Sequence, residues 1–240
     1  MDGFAACKAI RALPHGAEVP ILMITALENE HSVELAFATG ANDFVPKPIH
    51  FTVLRKRIAH LLKASQSQRS LNQLAYHDTL TNLPNRVQFM ERLNRVLAKP
   101  AAQPQAHAVL FLDLDRFKLT NDTMGHDVGD DLVREAVARL IKLSTRYDLV
   151  GRVGGDEFVV AQWKTTSRKQ VEERAAAIVH ALAQPFVIRD NTITVSASVG
   201  VVDRFITPSA GEMLKCADLA LYRAKALGRN RYVVFNAAIE

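Results

Sequence analysis

Apolar and polar positions along this 240-residue chain switch repeatedly between helical and strand periods. Phe4 to Leu13 has helical spacing. Val19 to Thr25 is a short apolar run of the kind shown by a strand buried on both faces. Asn29 to Thr39 is helical again, with Gly40 as its stop. Asp43-Phe44-Val45 predicts a second short strand, closed by Pro46-Lys47-Pro48. From Phe51 to Tyr76 the helical pattern runs through Leu54, Ile58, Leu61, Leu62, Leu71 and Leu74. Ser65-Gln66-Ser67-Gln68 interrupts it with polar residues but no Gly or Pro, which predicts a nearly continuous helical linker.

A second pattern begins near Leu71. Asn85 is placed to cap a helix running to Leu97, ended by Pro100. His107 to Leu112 predicts a strand that runs directly into Asp113-Leu114-Asp115. Gly129 to Leu143 is helical, and Asp148–Val153 and Phe158–Trp163 read as two strands of a hairpin. Arg168 to Ala183 predicts a helix ended by Pro185, and Thr192 to Val202 an alternating strand. Ser209 to Leu227 predicts a helix stopped at Gly228, and Arg231 to Phe235 a last strand. Helices alternating with hairpin-joined strands predict an α/β (α+β) architecture, a mixed sheet with helices packed on it. The domain division expected is 1–50, a helical linker over 51–76, and 77–240.

Apolar residues make up 48% of the chain, enough for a real core. The net charge of +5 is spread along the sequence with no basic block, which argues poorly for a nucleic-acid groove. Cys7 and Cys216 lie far apart and neither belongs to a C-x-x-C pair, so two ordinary thiols in a reducing compartment are expected. No apolar run reaches membrane-spanning length, and Asp2 interrupts any signal-peptide pattern. A cytoplasmic protein without membrane or nucleic-acid partners is the expectation.

The chemistry concentrates at Arg152-Val153-Gly154-Gly155-Asp156-Glu157-Phe158. A Gly-Gly pair between apolar strands predicts a tight turn with φ > 0 and two carboxylates at its tip. Alone, such a tip is either a solvated acidic turn or a metal-binding one. Asp113 and Asp115, two residues apart at a strand end, point to one face, with the Leu114 carbonyl beside them. Asp113 with Asp156 and Glu157 would suit Mg²⁺, which takes one or two carboxylates and leaves room for phosphates. Alone, Asp113 reads as an acid capping the next helix. Phe117 to Asp130 holds two glycines, several acids and Asn121, and reads as a loop-rich ligand pocket or as ordinary turn and cap chemistry. His126 reads as a structural hydrogen-bonder. Lys225 and Arg229, four apart, suit one side of a helix end, as a phosphate clamp or as dipole complements.

These segments together resemble the GGDEF family of diguanylate cyclases. Residues 152–158 match its signature. Asp78-Thr79-Leu80-Thr81-Asn82-Leu83-Pro84-Asn85-Arg86, Phe111 to Lys118, Asn121-Asp122 with Gly125 to Asp130, and Ala217-Asp218 through Gly228-Arg229-Asn230 fall in that family's order over about 71–240. The resemblance implies a sheet like the palm of nucleotidyl cyclases and polymerases. It implies condensation of two GTP into cyclic di-GMP with release of pyrophosphate. It implies two Mg²⁺ (or Mn²⁺) per GTP on Asp113, the Leu114 carbonyl, Asp156 and Glu157, with Gly154 and Gly155 shaping the tip. One of Asp156 and Glu157 would help deprotonate the attacking 3′-hydroxyl. Asn121 and Asp130 would read guanine, and Phe117 and Lys118 with Lys225 and Arg229 would hold the nucleotide and its phosphates. Each domain would bind one GTP, so an antiparallel homodimer is implied. Asp148 stands at the Asp of the family's Arg-x-x-Asp product-inhibition site, but Thr145 replaces the Arg, which predicts weak or absent feedback.

Residues 1–50 resemble the second half of a doubly wound response-regulator receiver. Thr25 takes the switch hydroxyl's place, Phe44 the switch aromatic's, and Lys47-Pro48 the lysine with a cis proline. The first three strands and the phosphoacceptor Asp have no counterpart, so the expectation is a receiver remnant that, with the helix to Tyr76, serves at most as a dimerisation arm. A phosphodiesterase or histidine-kinase partner is left open. The alternative to an active cyclase is a weak or inactive GTP-binding module that regulates such a partner.

Overall fold

The structure is a computed structural model and describes residues 2–26, 30–98, 106–165, 167–203 and 209–236. Two compact units divide the chain, 1–73 and 74–240.

The first unit contains α1 (Gly3–Arg11), β1 (Leu22–Thr25), α2 (Glu30–Ala38), β2 (Asp43–Pro46) and most of α3 (Phe51–Tyr76). Asp2 caps α1 by accepting the Ala5 N–H at 2.8 Å. β1 and β2 pair in parallel, Leu22 opposite Asp43. Cys7, Met23, Ala36 and Ala41 form a small core. Arg11 holds this unit together: its guanidinium reaches the carbonyls of Gly40 (2.9 Å), Val19 (2.8 Å) and Gly16, and the Asn42 side-chain oxygen (2.8 Å). β1 is narrower than the apolar run, and Ile24 is exposed rather than buried on both faces. Thr25 closes β1 opposite Pro46, and its carbonyl accepts the Lys47 N–H at 2.8 Å. Phe44 meets Phe37 edge-on with ring centres 6.1 Å apart. The Lys47–Pro48 peptide is cis. α3 is continuous through the polar Ser65–Gln68 stretch and has no buried residue.

The second unit continues with α4 (Arg86–Leu97), β3 (Ala106–Asp115), α5 (Phe117–Met124), α6 (His126–Leu143), β4 (Leu149–Arg152), β5 (Glu157–Thr165), α7 (Arg168–Ala183), β6 (Phe186–Ile188), β7 (Asn191–Ile193), β8 (Ser196–Asp203), α8 (Ala210–Ala226) and β9 (Tyr232–Val234). The main sheet has the order β4-β5-β3-β8-β9, antiparallel except for β8 with β9. Period two on β3 sorts its residues into two cores. Leu110, Leu112 and Leu114 pack with α6 and α7 through Leu132, Val133 and Ile178. Val109 and Phe111 pack with α4 and α8 through Phe89, Leu93, Met213 and Leu221. Arg139 anchors the first layer, its guanidinium 3.5 Å above the Phe186 ring and donating to the carbonyls of Ala181, Gln184 and Pro185.

Two sequence expectations change here. Thr192–Val202 is not one strand: β7 pairs with β6 in a separate hairpin, and β8 enters the main sheet buried on both faces. Phe117–Asp130 is not loop-rich: α5 and α6 fill it, with Gly125 between them at φ +89°. Burial of Phe117 and Val128 in the core outweighs the turn preference of the Asn and Asp residues.

Candidate active site

Asp113 and Asp115 face the side of the sheet covered by α4 and α8. Asp113 stands in register with Glu157 on β5 and with Ser198 on β8. Directly opposed residues of an antiparallel pair share a face, so the two carboxylates are neighbours. The Leu114 N–H donates to the Asp156 carbonyl at 3.2 Å, which pins the hairpin tip to β3.

The tip is wider than a two-residue turn. The N–H groups of Val153 and Gly154 both reach the Glu157 carbonyl, at 3.0 and 3.4 Å. Neither Gly154 nor Gly155 has a positive φ, so the left-handed turn expected from the sequence is not what the glycines provide. At Gly154 the requirement is space: a Cβ there would lie 2.5 Å from Glu157 Oε2. Gly155 has open space around it.

Arg152 fixes the tip from below. Its Nη2 donates to the Gly155 carbonyl at 2.7 Å, and its Nη1 reaches both Asp78 oxygens at 2.8 and 3.0 Å. Asp78 also accepts from the Thr81 N–H (2.9 Å) and hydroxyl (2.6 Å). Burial by itself would raise the Asp78 pKa, but the hydrogen bonds from Thr81 and Arg152 outweigh it and hold it below the usual carboxylate value. The sequence pattern shows both segments but not their pairing, because 74 residues separate them.

Asp113 is 8% exposed and lies 2.6 Å from Lys225 Nζ. Burial pushes its carboxyl up, Lys225 pulls it down, and the negative charges of Asp156 and Asp115 push it up again, to about 6. Asp115 is committed to structure. It accepts from the hydroxyls of Ser196 (2.6 Å) and Ser198 (2.7 Å) and from the Asn230 N–H (3.1 Å), tying β3 to β8 and to the turn after α8.

α8 ends at Ala226, and Gly228 (φ +110°), Arg229 (+63°) and Asn230 (+49°) turn the chain back towards β9. Arg229 is therefore not one helical turn above Lys225, as its spacing suggested. Its Nε lies 4.0 Å from Asp115 Oδ1 while Lys225 takes Asp113. The two cations still arrive at the same end of β3, each on a different acid.

On the other side, the Asn121 side-chain oxygen is buried without a hydrogen-bond partner. It occupies the place where a Cβ of Gly129 would be, 1.7 Å away, so only glycine admits it. Lys118 and Asp130 are exposed. His126, expected as a structural hydrogen-bonder, is exposed at the start of α6. Asp148 accepts the Thr145 N–H at 2.7 Å and closes a local turn, while Arg146 lies over the Tyr147 ring at 4.7 Å.

Among the described residues no three His, Cys, Asp or Glu side chains form a ready-made metal cluster. The donor set nevertheless fits a divalent cation whose remaining positions are filled by phosphate oxygens. Asp113 and Glu157 converge from adjacent strands, and the Asp113 carboxyl, raised first by burial and then by the charges of Asp156 and Asp115, is one whose ionised form a cation would favour.

Residues 75–231 match the family described as diguanylate cyclase, GGDEF domain, and residues 1–59 the response regulator receiver domain. The response regulator PleD of Caulobacter vibrioides is 30% identical over 247 residues, covering 97% of this chain and 53% of PleD. The signaling protein YkoW of Bacillus subtilis is 33% identical over 184 residues, 75% of this chain and 23% of YkoW. Among solved structures, the GGDEF domain of TpbB (YfiN) from Pseudomonas aeruginosa matches with a TM-score of 0.66 and 33% identity, covering 68% of this chain and 96% of that one. The coiled coil and GGDEF domain of DgcB from Caulobacter crescentus, in complex with c-di-GMP, matches with a TM-score of 0.68 and 26% identity, covering 76% and 97%. This chain spans about a quarter to a half of the length of the curated relatives it matches. It belongs to the GGDEF family of diguanylate cyclase domains, with a receiver-family segment ahead of that domain.

Proposed function

We propose that this chain condenses two GTP into cyclic di-GMP, and that the reaction takes place between the GGDEF domains of two copies. The observation that carries this reading is the register pairing of Asp113 with Glu157, with Lys225 2.6 Å from the former. A GTP on one domain presents its 3′-oxygen to the α-phosphorus of the GTP on the other. The bond from that phosphorus to its bridging oxygen breaks, and pyrophosphate leaves. A second, symmetric step closes the ring. The attacking hydroxyl loses its proton to one of Asp156 and Glu157. Asn121, with its unsatisfied buried oxygen, and Asp130 accept from the donor edge of guanine. Phe117 closes the core beneath the nucleotide, and Lys118, Lys225 and Arg229 supply positive charge for the phosphates. Mg²⁺ or Mn²⁺, two per GTP on Asp113, the Leu114 carbonyl, Asp156 and Glu157, would neutralise charge on the attacking and leaving oxygens. Each domain contributes half of the reacting atoms, so a second copy is a catalytic requirement.

No helix among the described residues is long and apolar enough to cross a membrane. GTP as substrate assigns the reaction to the cytoplasm. The test is the purified chain with GTP and Mg²⁺, products separated by chromatography, beside Asp156→Ala and Glu157→Ala. Cyclic di-GMP from the parent chain alone is the expected result. GTP binding with no cyclic dinucleotide at any protein concentration would overturn the reading and leave a GTP-binding module.

A further inference from the structure

A cavity of about 550 Å³ lies between α7, the end of β5 away from the hairpin tip and the turn before β4. Its size is that of a small-molecule pocket. Phe158 and Val160, on one face of β5, belong to the core that α7 covers, and Gln162 continues their line. Gln162 is 3% exposed, and its side-chain oxygen has no hydrogen-bond partner. A buried polar atom left unpaired is destabilising, so a carboxamide at this core position requires a reason.

β5 is bulged beside it. Ala108 on β3 stands opposite Gln162 and Ala106 opposite Thr165, three steps along β5 against two along β3. The extra residue breaks the alternation of side chains, and Gln162 and its neighbour Trp163 both line the cavity. Tyr147 supplies a second aromatic ring. Among the described residues that line the cavity, Arg174 is the one cation and Glu173 the one acid. The Arg174 side chain is half-buried and makes no hydrogen bond or ion pair among the described residues. Glu173 is exposed, with only a loose contact to Lys169 at 3.8 Å.

We propose that this cavity binds a free aromatic amino acid with a polar ring tip, of which tyrosine is the simplest. Its ring lies against Trp163 and Tyr147. Its hydroxyl supplies the partner that Gln162 lacks, and because a phenol both donates and accepts, it satisfies the amide in either orientation. Its carboxylate pairs with Arg174 and its ammonium with Glu173. The cavity adjoins the Thr145–Asp148 turn, but Asp148 is not among its lining residues. A cyclic dinucleotide is a poor match, because its two phosphates would meet one guanidinium and a repelling carboxylate. The proposal does not depend on the cyclase reading.

Trp163 is the single tryptophan of the chain, so its fluorescence reads the cavity directly. The full chain is titrated with L-tyrosine, with L-phenylalanine, which lacks only the hydroxyl, and with cyclic di-GMP. L-tyrosine is expected to change the emission saturably and to bind about tenfold more tightly than L-phenylalanine. Gln162→Met exchanges an unpartnered amide for an apolar side chain of similar length, so its melting temperature should equal or exceed the parent's. It should bind the two amino acids equally. Arg174→Gln should weaken both by about tenfold. No saturable response to L-tyrosine, or equal binding of the two amino acids by the parent, overturns the proposal. So does a preference for tyrosine that survives Gln162→Met. Competition between cyclic di-GMP and tyrosine also overturns it, because the cavity would then be a product site.

Discussion

Arg152 joins the two ends of the signature hairpin to the start of the domain by holding Asp78 at 2.8 and 3.0 Å and the Gly155 carbonyl at 2.7 Å. The pair is largely buried, with side chains 11% and 21% exposed. Removing one partner leaves the other charge unsatisfied, and breaking a buried pair costs about 3–5 kcal/mol. Residual exposure reduces this, so Arg152→Ala should lower unfolding free energy by about 2–3 kcal/mol in urea titrations. Arg152→Lys should recover little, because an ammonium cannot serve Asp78 and Gly155 together. The Asp78 carboxyl is held low, so its contribution is present above the ordinary carboxylate pKa and is lost as pH falls through the lower folded value. A parent chain whose stability shows no Arg152-dependent loss in acid would contradict this.

The two glycines of the tip should respond differently to alanine. At Gly154 a methyl group would collide with Glu157 Oε2 at 2.5 Å, and at Gly155 it would meet open space. Gly154→Ala should displace the Glu157 carboxylate and reduce cyclic di-GMP formation by about 100-fold, on the order of losing a positioned charge. Gly155→Ala should retain activity within about threefold, a cost below 1 kcal/mol. Equal losses in steady-state assays would show that the pair serves a shared backbone conformation and not space for Glu157.

That difference marks how far the sequence could be read. Period-two spacing on β3 was enough to place Asp113 and Asp115 on one face, and Gly-Gly between apolar runs was enough to place Asp156 and Glu157 at a hairpin tip. The reason for Gly154 was not readable, because it is a contact with Glu157 and not a torsion angle. The same holds for Asp115. Its role depends on Ser196 and Ser198, which show as a period-two serine pair only once β8 is known to lie beside β3. Arg229 does not stand one helical turn above Lys225, as the spacing predicts, because the backbone leaves the helix at Gly228. The short α5 was hidden because its Asn, Asp and Thr residues are turn formers, and burial of Phe117 decides the matter.

Asp113 and Lys225 make the acid side of the pH profile predictable. The Asp113 carboxyl is raised from 3.8 to about 6, with burial the largest cause and Lys225 opposing it. The folded chain therefore holds a proton that the unfolded chain releases between these values. Stability without metal should fall as pH rises from about 3.8 to 6 and level off above. Asp113→Asn should flatten that dependence and stabilise the metal-free chain at neutral pH by about 1–2 kcal/mol, while abolishing turnover. Lys225→Met removes the charge that lowers the carboxyl. The acid limb of GTP turnover should then move to higher pH, and a limb that stays in place or moves down would refute the assignment to Asp113.

Feedback by the product should be weak, for a reason visible around Asp148. A product-binding Arg-x-x-Asp pair needs a free carboxylate and a guanidinium on the same side. Here the Asp148 carboxylate accepts the Thr145 N–H at 2.7 Å within a local turn, and its own N–H returns to the Thr145 carbonyl at 3.0 Å. The neighbouring Arg146 is folded over Tyr147 with 4.7 Å between guanidinium and ring. One oxygen of the carboxylate is thus engaged in a local turn, and the guanidinium rests on its neighbouring ring. Added cyclic di-GMP should therefore inhibit the parent and Asp148→Ala to the same small extent. The two bonds to Asp148 use only backbone atoms of residue 145, and the Thr145 hydroxyl adds one longer contact from the Tyr147 N–H at 3.3 Å, so Thr145→Arg can keep the pairing with Asp148 while adding the missing cation. That variant should gain product inhibition, with an inhibition constant at least tenfold lower, and combining it with Asp148→Ala should remove the gain. Strong inhibition of the parent chain that Asp148→Ala relieves would mean that the carboxylate turns outward to bind product.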